Sequence, residues 1–170
     1  MTQLELQPGD VLLFHPSSLT GHIVAWATGS VYSHAAMYTD EGVAELREFL
    51  GGRILPLTDH AGESIDVFRA DTTIPVKIVA VMTMKQLLSE RYSFLNCIAA
   101  WFRRRIPKWF RLHFLRSEVD HHGYHCSQAV ATAYRIAGLD LCRHPDWATT
   151  PGDLARSKRL TPATAIRLED

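Results

Sequence analysis

The chain has 170 residues, 46% of them hydrophobic and 21% charged, which suits one domain whose core buries roughly two-thirds of the unfolded surface. Its 18 basic and 18 acidic side chains cancel, so no overall field points to nucleic acid or to a strongly charged substrate. The first residues, MTQLELQPGDVLLF, hold no basic region followed by a long apolar one, and no stretch reaches the roughly 20 apolar residues of a spanning helix. A single domain over 1–170, cytoplasmic and made without a leader, is therefore expected.

Pro8-Gly9-Asp10 is a turn signal, and the apolar run Val11–Phe14 behind it reads as a buried strand. Leu19–Thr28 reads as a short helix ended by Gly29. Val31–Thr39 (VYSHAAMYT) and Val43–Phe49 (VAELREF) are strand-like and flank Asp40-Glu41-Gly42, a hairpin signal. Gly51-Gly52 is expected to end the second strand, with Arg53–Leu57 continuing the sheet and Ser64–Ala70 adding an alternating run.

Pro75 suits a first helical turn, and Val76, Val79, Ala80, Thr83, Leu87 and Leu88 recur at helical spacing to about Arg91. A further helix is expected through Asn96–Arg104. From Ser127, the residues Ala129, Val130, Ala133, Tyr134 and Ala137 form an apolar stripe that stops at Gly138. Thr150-Pro151-Gly152-Asp153 joins a capping residue, a proline and an acidic residue three after the cap, so a last helix should begin there. Strands and helices are segregated along the chain, which predicts an α+β fold with a mostly antiparallel sheet packed against helices.

The three cysteines (Cys97, Cys126, Cys142) are odd in number, widely spaced and free of any CxxC pair, which argues against a disulfide framework or a cysteine-rich zinc site. Cys126 stands apart. It falls in the first turn of the alanine-rich helix, where unsatisfied N–H groups favour a thiolate.

A nucleophilic thiol needs a base and a group that orients it. His34 sits among small and apolar neighbours, where an unpaired imidazole would be costly to bury. In a hairpin closed around Asp40-Glu41, Thr39 faces Gly42, so Ala36 faces Glu45 and His34 faces Arg47. His34 and Glu45 then share one sheet face at a diagonal step. An odd-length loop would select Glu48 instead, and a plain charge pair with Arg47 or Arg53 is the alternative role for Glu45. A buried structural thiol is the alternative for Cys126.

Taken in order, LQPGDVLLF, TGSVYSHAAMY, VAEL, GGRILPL, YHCSQAVATAYRIAGLDL and TPGDLARS resemble the circularly permuted NlpC-like papain-fold cysteine hydrolases, the YaeF/YiiX branch, over nearly the whole chain. In the parent papain-like order the cysteine precedes the histidine and the polar residue; here the order is His34, Glu45, Cys126. The resemblance implies a permuted papain-like fold, Cys126 as nucleophile, His34 as general base and then acid, and Glu45 as the residue that orients the imidazole. It implies hydrolysis of, or transfer across, peptide, amide or ester bonds, with cell-wall peptides or lipid-like acyl groups as substrates and no cofactor. Tyr32, Ser33 and His125 are candidates for contacts to substrate.

Between Trp101 and Arg116, six basic residues (Arg103, Arg104, Arg105, Lys108, Arg111, Arg116) alternate with aromatic ones and with no acidic one. That pattern suits an anionic membrane surface or an anionic ligand, or else a surface excursion whose arginine stems cover aromatic rings. RNA binding has less support. His121, His122 and His125 beside Cys126 offer imidazole and thiolate donors for a transition metal, but Gly123 and the tight spacing make three coplanar ligands awkward, and no metal is expected.

Overall fold

The computed structural model describes residues 6–47, 50–89 and 123–167. The expected helix at Asn96–Arg104, the basic-aromatic stretch 101–116, Cys97, Glu48, His121 and His122 lie outside them. Six strands form one sheet: β1 (Val11–Phe14), β2 (His34–Thr39), β3 (Gly42–Arg47), β4 (Gly51–Leu55), β5 (Ser64–Ala70) and β6 (Leu160–Arg167), in the order β4-β3-β2-β1-β5-β6. Every ladder is antiparallel. Among the described residues, four α-helices accompany it: α1 (Leu19–Thr28), α2 (Ile74–Leu87), α3 (Cys126–Ile136) and α4 (Pro151–Ala155). The arrangement is α+β.

Central β1 shows why its sequence reads VLLF without polar alternation: both faces of the sheet are covered. Val11 and Leu13 join a core with Ala35, Met37, Ala44 and Leu46 against Ala80 and Met84 of α2 and Ala129, Ala133 and Tyr134 of α3. Leu12 and Phe14 point the other way, into a second core with Ala36, Val43, Ile65 and Val67. α3 is buried almost all round from Cys126 to Tyr134. The Tyr134 hydroxyl donates to the Gly9 carbonyl, tying that helix to the turn ahead of β1.

The hairpin register is the one that a two-residue turn requires, with Thr39 opposite Gly42, Tyr38 opposite Val43 and Met37 opposite Ala44. α1 has its expected bounds, capped by Ser18 and ended by left-handed Gly29.

Four expectations need correction. β2 begins at His34 rather than Val31, because a turn holds the preceding residues, with the Tyr32 N–H donating to Ser30 Oγ. Gly51-Gly52 opens β4 instead of ending β3. A Cβ on Gly52 would stand 2.1 Å from the Leu88 carbonyl oxygen at the end of α2, a close approach that only glycine permits. α2 stops at Leu87, and Val79, assigned to its buried stripe, is exposed while Val81 and Met84 are buried. β6 was not anticipated; it is an edge strand with Pro162 in its ladder, and proline is tolerated at an edge.

Candidate active site

His34 opens β2, and Glu45 lies on the neighbouring β3. Their diagonal placement brings His34 Nε2 to 2.8 Å from Glu45 Oε2. Glu45 is completely buried yet fully partnered. Its Oε1 accepts from Arg53 Nε at 2.8 Å, across the β3–β4 ladder, with Arg53 Nη2 in ion-pair contact at 2.7 Å, and its Oε2 also accepts from Arg47 Nε at 3.1 Å. The pairing with arginine and the pairing with His34 thus occur together. Burial alone would raise Glu45, but His34 and the two guanidiniums lower it to about 2.

The Phe14 ring lies 5.3 Å from the His34 ring and 5.1 Å from the His60 ring. With Nε2 committed to Glu45, Nδ1 is the ring nitrogen of His34 left for the Cys126 thiol, which is near enough to couple to the imidazole electrostatically. Burial would lower His34, and Cys126 and Glu45 together override it, raising the imidazole from 6.5 to about 9.

Cys126 is the first residue of α3 and only 7% exposed. Burial works against its thiolate, but hydrogen bonds and charge from His125 and His34 outweigh it and hold the thiol well below its ordinary value. Of the two imidazoles, His125 is the one already engaged by the start of the helix and by a backbone carbonyl. His125 caps α3: its Nδ1 accepts from the Gln128 N–H at 3.3 Å, while Gln128 Oε1 accepts from the His125 N–H. Its Nε2 lies 3.1 Å from the Trp147 carbonyl, and Ser127 Oγ donates to the Thr149 carbonyl at 2.8 Å. The helix start is therefore fastened on both sides of the sulfur.

The other sequence candidates are placed less centrally. The Tyr32 hydroxyl donates to Asp66 Oδ2, which also lies 3.1 Å from His15 Nε2, so its proton is committed to that carboxylate. Burial and Asp66 push the Tyr32 phenol above its usual range. Ser33 anchors β2 to β1 through its N–H to the Phe14 carbonyl, and its hydroxyl reaches that same oxygen only at 3.5 Å.

Sequence reasoning missed two features. The capping role of His125 was readable only from Gln128 three residues on, since histidine is an uncommon cap. The second is the pair His60 and Glu63 behind Arg47: Arg47 Nη2 donates to Glu63 at 3.1 and 3.3 Å, and Glu63 Oε2 lies 2.9 Å from His60 Nδ1. These two residues come from the turn between β4 and β5, which no periodicity marks.

Neither a family model nor a curated protein matches the sequence. Among solved structures, the chain is similar to the crystal structure of the metalloprotein yiiX from Escherichia coli O157:H7, with a TM-score of 0.63 over 95% of this chain and 98% of that one, at 17% identity. The fold is YiiX-like. At that identity the likeness to YiiX speaks for architecture: the sheet and its helices are shared, while the side chains of the site must be argued from their own geometry.

Proposed function

We propose that the chain is a thiol hydrolase of the permuted papain-like type, a cysteine peptidase or amidase working through an acyl-enzyme. The observation that carries this reading is His34, held by a buried carboxylate at 2.8 Å and coupled electrostatically to a thiol at the first position of a helix. Nucleophile, base and orienting group are thus arranged in series.

In the resting site the proton sits on His34 and the sulfur is a thiolate. The thiolate attacks the substrate carbonyl carbon, forming the S–C bond. The Cys126 N–H, one of the helix-start donors with no intrahelical acceptor, stabilises the oxyanion. Collapse breaks the bond to the leaving amine, which takes the proton from His34. Water then attacks the thioester with neutral His34 as base, releasing the acid and restoring the ion pair. Glu45 keeps the imidazole oriented throughout, and the arginines keep Glu45 ionised.

A second reading within the same chemistry is a lipid acyl hydrolase or acyltransferase. It is favoured by α1, whose Leu19 (79% exposed), Ile23 and Trp26 (68% exposed) line one apolar side just ahead of β2. A non-catalytic peptide- or membrane-docking module would leave the activated thiol without a purpose. The similar solved protein is described as a metalloprotein. Here, among the described residues, no group of three His, Cys, Asp or Glu side chains is placed to hold a metal, and His34 Nε2 and both nitrogens of His125 are already engaged. These donors do not fit a metal, and the mechanism routes no step through one.

Brief exposure to iodoacetamide at pH 6.5, read by peptide mass spectrometry, tests the proposal. Cys126 should react faster than Cys97 and Cys142, and His34→Ala should slow it about tenfold or more. Equal labelling of all three cysteines would overturn it.

A further inference from the structure

Glu45 carries one negative charge, yet two guanidiniums grip it: Arg53 through two nitrogens on Oε1 and Arg47 on Oε2. Two cations on one buried carboxylate over-neutralise it. A third cation, the imidazolium of His34, must nevertheless bind the same carboxylate for the thiolate to exist. The excess is removed one step further out, where Glu63 accepts from Arg47 Nη2 on both of its oxygens and is itself held by His60 Nδ1. Glu45 and Glu63 then balance Arg47 and Arg53. The two ends of the hydrogen-bonded chain His34–Glu45–Arg47–Glu63–His60 both contact the Phe14 ring.

We propose that Glu63 is a positioning residue whose charge offsets the second guanidinium on Glu45 and thereby lets that carboxylate hold His34 as an imidazolium. The inference rests on the reading of Cys126 and His34 as a catalytic pair and extends the site outward by two residues. The groups that bear on His34 are Glu45 and Arg47 from β3, Arg53 from β4, His60 and Glu63 from the turn before β5, and Cys126 and His125 from α3; β1 presents the uncharged Phe14. Burial would raise Glu63, but His60 and Arg47 lower it, so it is an anion at neutral pH. Replacing it with a neutral side chain leaves an unopposed cation beside the carboxylate that His34 needs, and the imidazolium loses its proton more readily.

The test uses the full chain and iodoacetate, an anionic alkylating agent that the imidazolium attracts and whose rate at Cys126 therefore falls when His34 deprotonates. For the unsubstituted chain the rate against pH should be bell-shaped, with its alkaline limb near 9. Glu63→Gln should move that limb down by about one unit, a loss of roughly tenfold in rate on the alkaline side. Glu63→Asp keeps the charge and should hold the limb within a few tenths of a unit. Arg47→Gln combined with Glu63→Gln removes both members of the outer pair and should bring the limb back. Equal shifts from Gln and Asp would mean that Glu63 only shapes the turn, and an unmoved limb in Glu63→Gln would likewise overturn the proposal while leaving the activated thiol intact. An ordinary thiol titration of Cys126 in the unsubstituted chain would instead remove the catalytic reading, and this inference with it.

Discussion

At the scale of single residues, the site is built around a carboxylate that is wholly buried and remains ionised. Three cations share it, so loss of its charge leaves His34, Arg53 and the Nε of Arg47 without their anion, beside a carboxylate site that is itself 0% exposed. Glu45→Gln keeps the shape and loses the charge. Breaking a buried pair by neutralising one partner costs about 3–5 kcal/mol, and chemical denaturation should find a loss of that order. The same variant should return Cys126 toward ordinary thiol reactivity, since His34 loses the anion that sustains its proton. A denaturation midpoint indistinguishable from that of the unsubstituted chain would show that Glu45 is not the ionised centre of the cluster. Much of this was legible beforehand: the register of the Asp40-Glu41 turn puts His34 and Glu45 on one face, and the start of an alanine-rich helix isolates Cys126. Glu63 was not, because its contact with Arg47 is made by a turn whose position depends on how β4 leaves the sheet.

At the scale of elements, the start of α3 and the end of α2 are the two junctions that locate the site. α3 is held by a histidine cap, by Ser127 on the Thr149 carbonyl and by Tyr134 on Gly9, so the sulfur is presented from a helix fixed at several points. The end of α2 presses on β4 at Gly52, beside the Arg53 that clamps Glu45. Gly52→Ala inserts a methyl group 2.1 Å from a backbone oxygen that has no rotamer with which to yield. It should destabilise the protein by about 1–3 kcal/mol, measured as a fall in thermal midpoint. A midpoint at or above that of the parent would show that the junction is not tight. The sequence pattern misread this place because paired glycines ordinarily mark an ending, and the contact that requires them comes from a helix more than thirty residues further on. The β6 strand escaped for a related reason: its proline and alanines carry no strand pattern of their own, and it pairs because β5 presents a free edge.

For the whole molecule, the coupled thiol and imidazole dictate how stability depends on pH. His34 is raised from 6.5 to about 9, so its contribution is fully present below 6.5 and is lost as pH rises through 9. Cys126 is lowered from 9.0, so its contribution is present above 9.0 and is lost as pH falls through its depressed value. Between 6.5 and 9 the folded pair and the unfolded pair each bind one proton, and the two slopes cancel. Below 6.5 the unfolded imidazole takes up a second proton that the folded pair refuses, so stability falls as the pH is lowered. Glu45 adds its own loss only below 4.5, as pH falls toward about 2. Thermal midpoints should therefore be level from about 6.5 to 9 and decline between 6.5 and 4.5. In Cys126→Ser combined with His34→Gln neither member of the pair is left to titrate, so the decline assigned to the pair should vanish there while the fall below 4.5 remains. A decline of equal slope in both proteins would place the titration outside the cleft, and with it the claim that sulfur and imidazole share one proton.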